Sequence, residues 1–302
     1  MTAVCQKTIK SAIGCSGIGL HSGVDINMTL RPAPVGTGIV FTRVDQGNAL
    51  LPAAHDLVSE TQLGTTLRNV DGVNLGTVEH LMAALWGCEI DNLFVDVDGP
   101  EVPAMDGSAA PFVFLIECAG IAEQTAPRQA LRVCRPVEVV AGEKRITLTP
   151  ADDFSVDLVI DFDHPVISCQ SSCFDGGPFA FKTEISRART FGFADEVALL
   201  HAAGFARGGS LENAVVVVED RVLNDGGLRY ENEFARHKML DCVGDLYLAG
   251  APLLAHVDAH CPGHQLNNAA LRALFASDQN WKLEPIVPAA SSWPEMAAGA
   301  EA

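Results

Sequence analysis

The chain has 302 residues, 48% of them hydrophobic and 19% charged, and a formal net charge of −18. That is enough apolar material for two cores, and the acidic balance argues against nucleic acid and anionic membrane surfaces as main partners. Nine cysteines without a Cys-x-x-Cys pair read as free thiols of a reducing compartment, with Cys88, Cys118 and Cys242 inside apolar helical stretches. The opening MTAVCQKTIKSAIG lacks the apolar region of a signal peptide, and no window approaches the ~18 apolar residues of a membrane span. A cytoplasmic protein with no stable membrane insertion is therefore expected; a monomer is expected as well, though none of these features bears on it.

Alternation and β-branched content predict strands at Asp25–Leu30, Ile39–Thr42 and Thr65–Asn69. The run TVEHLMAALWG predicts a helix over Thr77–Gly87 with Thr77 as its N-cap. A strand (Asn92–Val97), a loop (Asp98–Asp106) and a helix (Pro111–Ala119) follow. EQTAPRQ, Glu123–Gln129, is polar, carries a proline and reads as a domain boundary. Beyond it, strands are predicted at Arg145–Leu148, Ser155–Ile160 and Val215–Val218, then a helix over Phe234–Ala249, a strand at Leu253–Val257, a loop ending near Gly263 and a helix over Asn267–Phe275. Each half thus ends helix–strand–loop–helix after a set of strands. The fold class that follows is α+β: two similar domains, 1–126 and 127–302, each a mostly antiparallel sheet with two helices, the helices packed between the sheets. The second half carries an extra βαβ-like segment, about 192–220, with a helical run over Val197–Ala206. The tail Pro285–Ala302 is rich in Pro, Ala and Ser and reads as loose.

Two apolar helices carry polar residues that do not suit them. On the later helix Glu233, His237, Asp241 and Asp245 fall four apart, on one narrow stripe among apolar and small neighbours. Spacing alone decides little, since His-x-x-x-Asp also occurs on exposed edge helices. Carboxylates in apolar surroundings, however, need a cation. On the earlier helix Glu79 and His80 stand side by side ahead of LMAALW. Alone they read as a first-turn acid and a surface histidine. Taken together, His80, His237 and Asp241 form a two-His, one-carboxylate set of the kind that holds Zn²⁺ or Fe²⁺ with open positions, and Glu79 falls beside the metal-bound water. His264, after Gly263 at a loop-to-helix junction, is a further working candidate. His164, His201, His256 and His260 read as structural or exposed.

The motifs GIGLHSG, TVEHLMAAL, MDGSAAPFV, RTFGF, RHKMLDCVGDL and GHQLNN, in this order, closely resemble the UDP-3-O-acyl-N-acetylglucosamine deacetylases, zinc enzymes of lipid A biosynthesis in Gram-negative bacteria. The resemblance runs from Gly17 through Asn268. It implies His80, His237 and Asp241 as zinc ligands, Glu79 as general base, and His264, bonded to Asp245, as general acid. It also implies Thr190 as the oxyanion donor and Lys238 as a contact to a diphosphate or sugar oxygen. Phe191 and the 192–220 segment would form the passage for a fatty acyl chain, with Phe162 near the uridine and His21 at the rim. The substrate implied is a UDP-linked acylated glucosamine. Two departures stand out. Gly64 replaces a cysteine that some relatives carry near the metal. Cys261 replaces a basic residue before the Gly-His turn, a phosphate contact for which Lys144 or Arg145 could compensate. A rival of another class is a non-catalytic, metal-containing sugar-nucleotide or lipid-binding protein. A structural zinc would be closed by four ligands, usually rich in Cys, so the open set with its neighbouring Glu favours an enzyme. A zinc protease is disfavoured by the lack of His-Glu-x-x-His.

Overall fold

The computed structural model describes residues 4–287. Its helices in chain order are α1 (Glu79–Gly87), α2 (Ala110–Ala119), a short α3 (Pro178–Ala180) continued by a π turn over Phe181–Ile185, α4 (Val197–Ala202), α5 (Glu233–Tyr247) and α6 (His264–Phe275). The first half forms a five-stranded sheet ordered Ile13–Ile18, Asp25–Pro32, Leu93–Val97, Ile39–Arg43, Ala49–Pro52. The second half forms a seven-stranded sheet around Leu253–His260. Both centres are built alike. Leu93–Val97, the strand after α1, is antiparallel to Asp25–Pro32 and parallel to Ile39–Arg43. Leu253–His260, the strand after α5, is antiparallel to Lys144–Pro150 and parallel to Phe154–Asp161. The remaining ladders are mostly antiparallel, as expected for an α+β fold.

Burial explains where the helices sit. All nine residues of α1 are buried, including Glu79 and His80. On α5 only Arg236 and Lys238 keep partial exposure. A helix buried all round belongs inside the molecule. Here α1 packs on α5, α5 also covers the strands Phe154–Asp161 and Cys169–Phe174, α6 covers Val137–Ala141 and Lys144–Pro150, and α2 packs on α1 and on Ile13–Ile18. Leu81, Leu85, Leu240 and Leu246 fill this interior, each contributing about 1.5–3 kcal/mol.

Several sequence expectations are corrected. Glu123–Gln129, read as a boundary, is strand on both sides of Arg128. Ile121–Pro127 is a strand paired antiparallel with Cys5–Ile9, and Gln129–Val133 already belongs to the second sheet. Arg128 alone separates them, buried, with Nε on Asp91 at 2.8 Å and Nη1 on Glu89 at 2.9 Å. Polar side chains on one face of a paired strand look like a linker when only composition is read. Thr77 is not the N-cap: it has φ +56°, Val78 takes the cap position, and the Thr77 hydroxyl donates to Glu101 Oε2 at 3.0 Å. Cys118 is exposed, unlike the buried Cys88 and Cys242. In the extra segment the strands Phe191–Phe193 and Val215–Val218 pair in parallel with α4 between them, and the helix stops at Ala202, short of the expected Ala206. From residue 288 the expected loose tail lies outside the described residues.

The α1–α5 crossing is tightest at Gly244, where an added Cβ would collide with the carbonyl oxygen of Glu79 and approach the Ala83 nitrogen to 3.0 Å. Gly244→Ala should therefore push the two helices apart, lowering unfolding free energy by about 1–3 kcal/mol in denaturant titrations. It should also weaken divalent-metal binding measured on the same sample. A variant with wild-type stability would show that the crossing tolerates a methyl group.

Candidate functional site

The crossing of α1 and α5 brings the first half's Glu79 and His80 against the second half's His237 and Asp241. Nε2 of His80 and Nε2 of His237 each lie 3.4 Å from Asp241 Oδ1. One ligand atom from each of these residues falls within 4.8 Å of the others, and all three side chains are buried. The His237 Nδ1–H donates to the Ala188 carbonyl at 3.3 Å, which leaves the Nε2 lone pair facing the cluster. Burial pushes His237 down to about 3, so this imidazole is neutral. Burial opposes ionisation of Asp241, but the positive charge facing it, with Lys238 bonded to Oδ2 at 2.8 Å, outweighs this and holds the carboxyl well below its usual range. Asp241 Oδ1 is buried with no hydrogen-bond partner. Two free imidazole nitrogens converging on an unpartnered carboxylate oxygen fit a divalent cation.

Around this group stand the other candidates. Glu79 Oε2 accepts the backbone N–H of Thr65 at 3.0 Å, while Oε1 lies 3.9 Å from His264 Nε2. Burial pushes the Glu79 carboxyl up. His264, the first residue of α6, donates from Nδ1 to Asp245 Oδ2 at 2.9 Å. Burial alone would lower its pKa, but Asp245, Glu79 and Asp241 overcome this and raise it to about 9. Asp245 is held in turn by Asn267 Nδ2 at 2.8 Å and the Thr65 hydroxyl at 2.6 Å.

Glu79, His80, His237, Lys238, Asp241, His264, Thr190, Phe191 and Lys144 line a single cleft of about 410 Å³. Lys238 Nζ bonds Asp241 Oδ2 at 2.8 Å and sits 5.6 Å from the Phe191 ring centre. Lys144 reaches the cleft, whereas Arg145 is engaged with Asp258 at 2.7 Å on the sheet. An apolar cavity of about 260 Å³ adjoins the cleft, sharing Leu20, Leu63, Thr190 and Phe191 and continuing along Val197, Leu200 and Val216 of the βαβ segment. His21 lines this second cavity. Phe162 lines neither, but packs edge-on against Phe191 at 5.8 Å between ring centres. Gly64 lies against Glu79: a Cβ there would stand 3.1 Å from its Oε1.

A family model described as UDP-3-O-acyl N-acetylglycosamine deacetylase matches residues 6–276. The chain belongs to this family. It is 52% identical over 281 residues to the UDP-3-O-acyl-N-acetylglucosamine deacetylase of Acidithiobacillus ferrooxidans, covering 92% of either chain. It is 51% identical to the enzyme of that name from Myxococcus xanthus, over 93% of this chain and 89% of the relative. With the Shewanella sp. enzyme it shares 48% over 302 residues, 97% of this chain and 99% of the relative.

Sequence reading missed several groups beside the cleft. Glu233 was placed on the polar stripe, but it is turned away to a buried pair with Arg189, at 2.9 Å from Nε and 3.0 Å from the Arg189 backbone N–H. That pair anchors the segment carrying Ala188 and Thr190. Thr65 and Asn267 had no signal beyond ordinary polar residues in TQLGTT and GHQLNN. The dyad yields a direct test. In metal-free protein, His264 should titrate near 9 by NMR. In Asp245→Asn the largest force raising that pKa is removed, burial then dominates, and the value should fall. The charged imidazole's contribution to stability is complete below its ordinary value near 6.5 and is lost as pH rises through about 9. The wild type should therefore lose stability across that window, and Asp245→Asn should not.

Proposed function

We propose that this protein hydrolyses the acetamide of UDP-3-O-acyl-N-acetylglucosamine, releasing acetate and the free amine in lipid A biosynthesis. The observation that carries the reading is the gathering of Glu79 and the Asp245-bound His264, 3.9 Å apart, beside the His80, His237 and Asp241 group, in a cleft that adjoins an apolar cavity. The family membership and the relatives' names support it.

His80, His237 and Asp241 would hold the ion, zinc by its donor set with Fe²⁺ as the alternative. When bound, it supplies Lewis acidity to a water and to the amide carbonyl. Glu79 takes the proton from the attacking water. Charge developing on the carbonyl oxygen is met by the Thr190 hydroxyl, a donor worth about 3–4 kcal/mol when well placed. His264, kept charged by Asp245, gives its proton to the departing glucosamine nitrogen. Lys238 and Lys144 supply positive charge for the diphosphate, His21 borders the rim, and Phe162 steadies Phe191 toward the uridine side. The fatty acyl chain lies in the apolar cavity of the βαβ segment, each buried methylene contributing ~0.8 kcal/mol.

The same reading takes residues 1–126 and 127–302 as two domains meeting at the α1–α5 crossing, which is supported by the two separate sheets and by the break at Arg128. It implies a cytoplasmic monomer with no nucleic-acid partner. The net charge of −18 argues against a nucleic-acid partner.

The purified protein should carry one divalent ion per chain, removed by a strong chelator together with activity. His80→Ala/His237→Ala should abolish binding; full metal occupancy in that double variant refutes the ligand set. Glu79→Gln should keep the ion and lose turnover by roughly 10²-fold or more. An unimpaired Glu79→Gln enzyme would reject the base. Removing the 3-O-acyl group from the substrate should lower kcat/KM by orders of magnitude, because both affinity and alignment of the acetamide are lost. Equal values with and without the chain would leave a general sugar-nucleotide deacetylase instead.

A further inference from the structure

Thr65 has no part in the reaction as described, yet it is bonded to both sides of it. It is 1% exposed, just ahead of the strand Thr66–Arg68. Its backbone N–H donates to Glu79 Oε2 at 3.0 Å, and its hydroxyl donates to Asp245 Oδ1 at 2.6 Å. The other Asp245 oxygen accepts from His264 Nδ1 and Asn267 Nδ2, so among the described residues Thr65 is the sole hydrogen-bond partner of Oδ1. Glu79 lies on α1 and Asp245 on α5, so this one residue spans the crossing.

We propose that Thr65 is a positioning residue that holds the base and the acid in one register. Its N–H engages Oε2 of Glu79 and leaves Oε1 toward the cleft and His264. Its hydroxyl stops rotation of the Asp245 carboxylate, so that Oδ2 stays aimed at His264 Nδ1. This rests on the deacetylase reading, with Glu79 as base and His264 as acid. A buried carboxylate oxygen that loses its only donor turns to find another, and the imidazole loses its direction with it. The bond to Glu79 comes from the backbone, so changing the side chain isolates the effect on the acid.

The test compares Thr65→Val, which keeps shape and loses the hydroxyl, with Thr65→Ser, which keeps the hydroxyl, using metal-loaded protein and the 3-O-acyl substrate. Thr65→Val should retain its metal and its KM within about 2-fold, while kcat falls about 10–100-fold. Thr65→Ser should recover most of kcat. In an Asp245→Asn background, Thr65→Val should add no more than about 2-fold, since both changes act on one bond. Wild-type kcat in Thr65→Val overturns the proposal, as does equal damage in Thr65→Ser or multiplying losses in the double variant. If Thr65→Val does not fold, Thr65→Ala against Thr65→Ser decides on the same criteria. Absence of acetate release by the wild type overturns the deacetylase reading itself, a different outcome from an insensitive Thr65.

Discussion

Everything in this molecule that bears on chemistry depends on packing two buried helices, each carrying carboxylates and imidazoles, against one another. Isolated ionised carboxylates are costly there. The structure offsets that cost group by group. Asp245 is given three donors and Glu233 is paired with Arg189. Lys238 reaches one oxygen of Asp241, and the other is left facing two imidazoles. Among the described residues, Asp241 Oδ1 is the carboxylate oxygen left buried without a hydrogen-bond partner, and it is therefore the informative one. Perturbed groups in a cleft mark functional sites only as a tendency. Here the perturbation converges on one point, where the crossing of α1 and α5 requires a positive charge.

Much of the fold was legible because its helices are long apolar runs and its central strands alternate. What was lost was lost for local reasons. The strands around Arg128 carry polar residues on their outer faces and a proline, so composition hid their pairing. Thr77 looks like a cap, but the backbone there turns left-handed and hands its hydroxyl to Glu101. The grouping of His80, His237 and Asp241 was readable from polar residues out of place on apolar helices, whereas the roles proposed for Thr190, Lys238, Phe162 and His21 came only from resemblance. The stripe on α5 was seen as one feature, yet its members separate. Positions four apart drift by about 40° per step, so Glu233 faces the Arg189 segment while Asp245, three steps later, faces α6. Thr65 was invisible because its two bonds run to residues far along the chain, which no local pattern encodes.

The βαβ segment shows how a small addition changes what a shared framework can hold. A unit of this size cannot enclose its own apolar residues. It leaves Val197, Leu200 and Val216 lining a cavity that opens on the same Thr190 and Phe191 that wall the cleft. The polar cleft and the apolar cavity thus meet at two adjacent residues, the first bonded through its N–H to the Gly107 carbonyl and the second packed edge-on among Phe162, Phe193 and Phe234.

The ligand set also draws on both halves of the chain, and this has a thermodynamic side. Atoms from residue 80 and residue 237 come together only when the two halves are docked, so an ion bound there favours the docked chain over any opened form by mass action. The gain rises as the logarithm of free metal, about 2.7 kcal/mol at a hundred times the dissociation constant. For a chain whose whole margin of stability is of the order of 5–15 kcal/mol, the supply of an ion held by these residues would control how much protein survives proteolysis, separately from how fast each copy turns over.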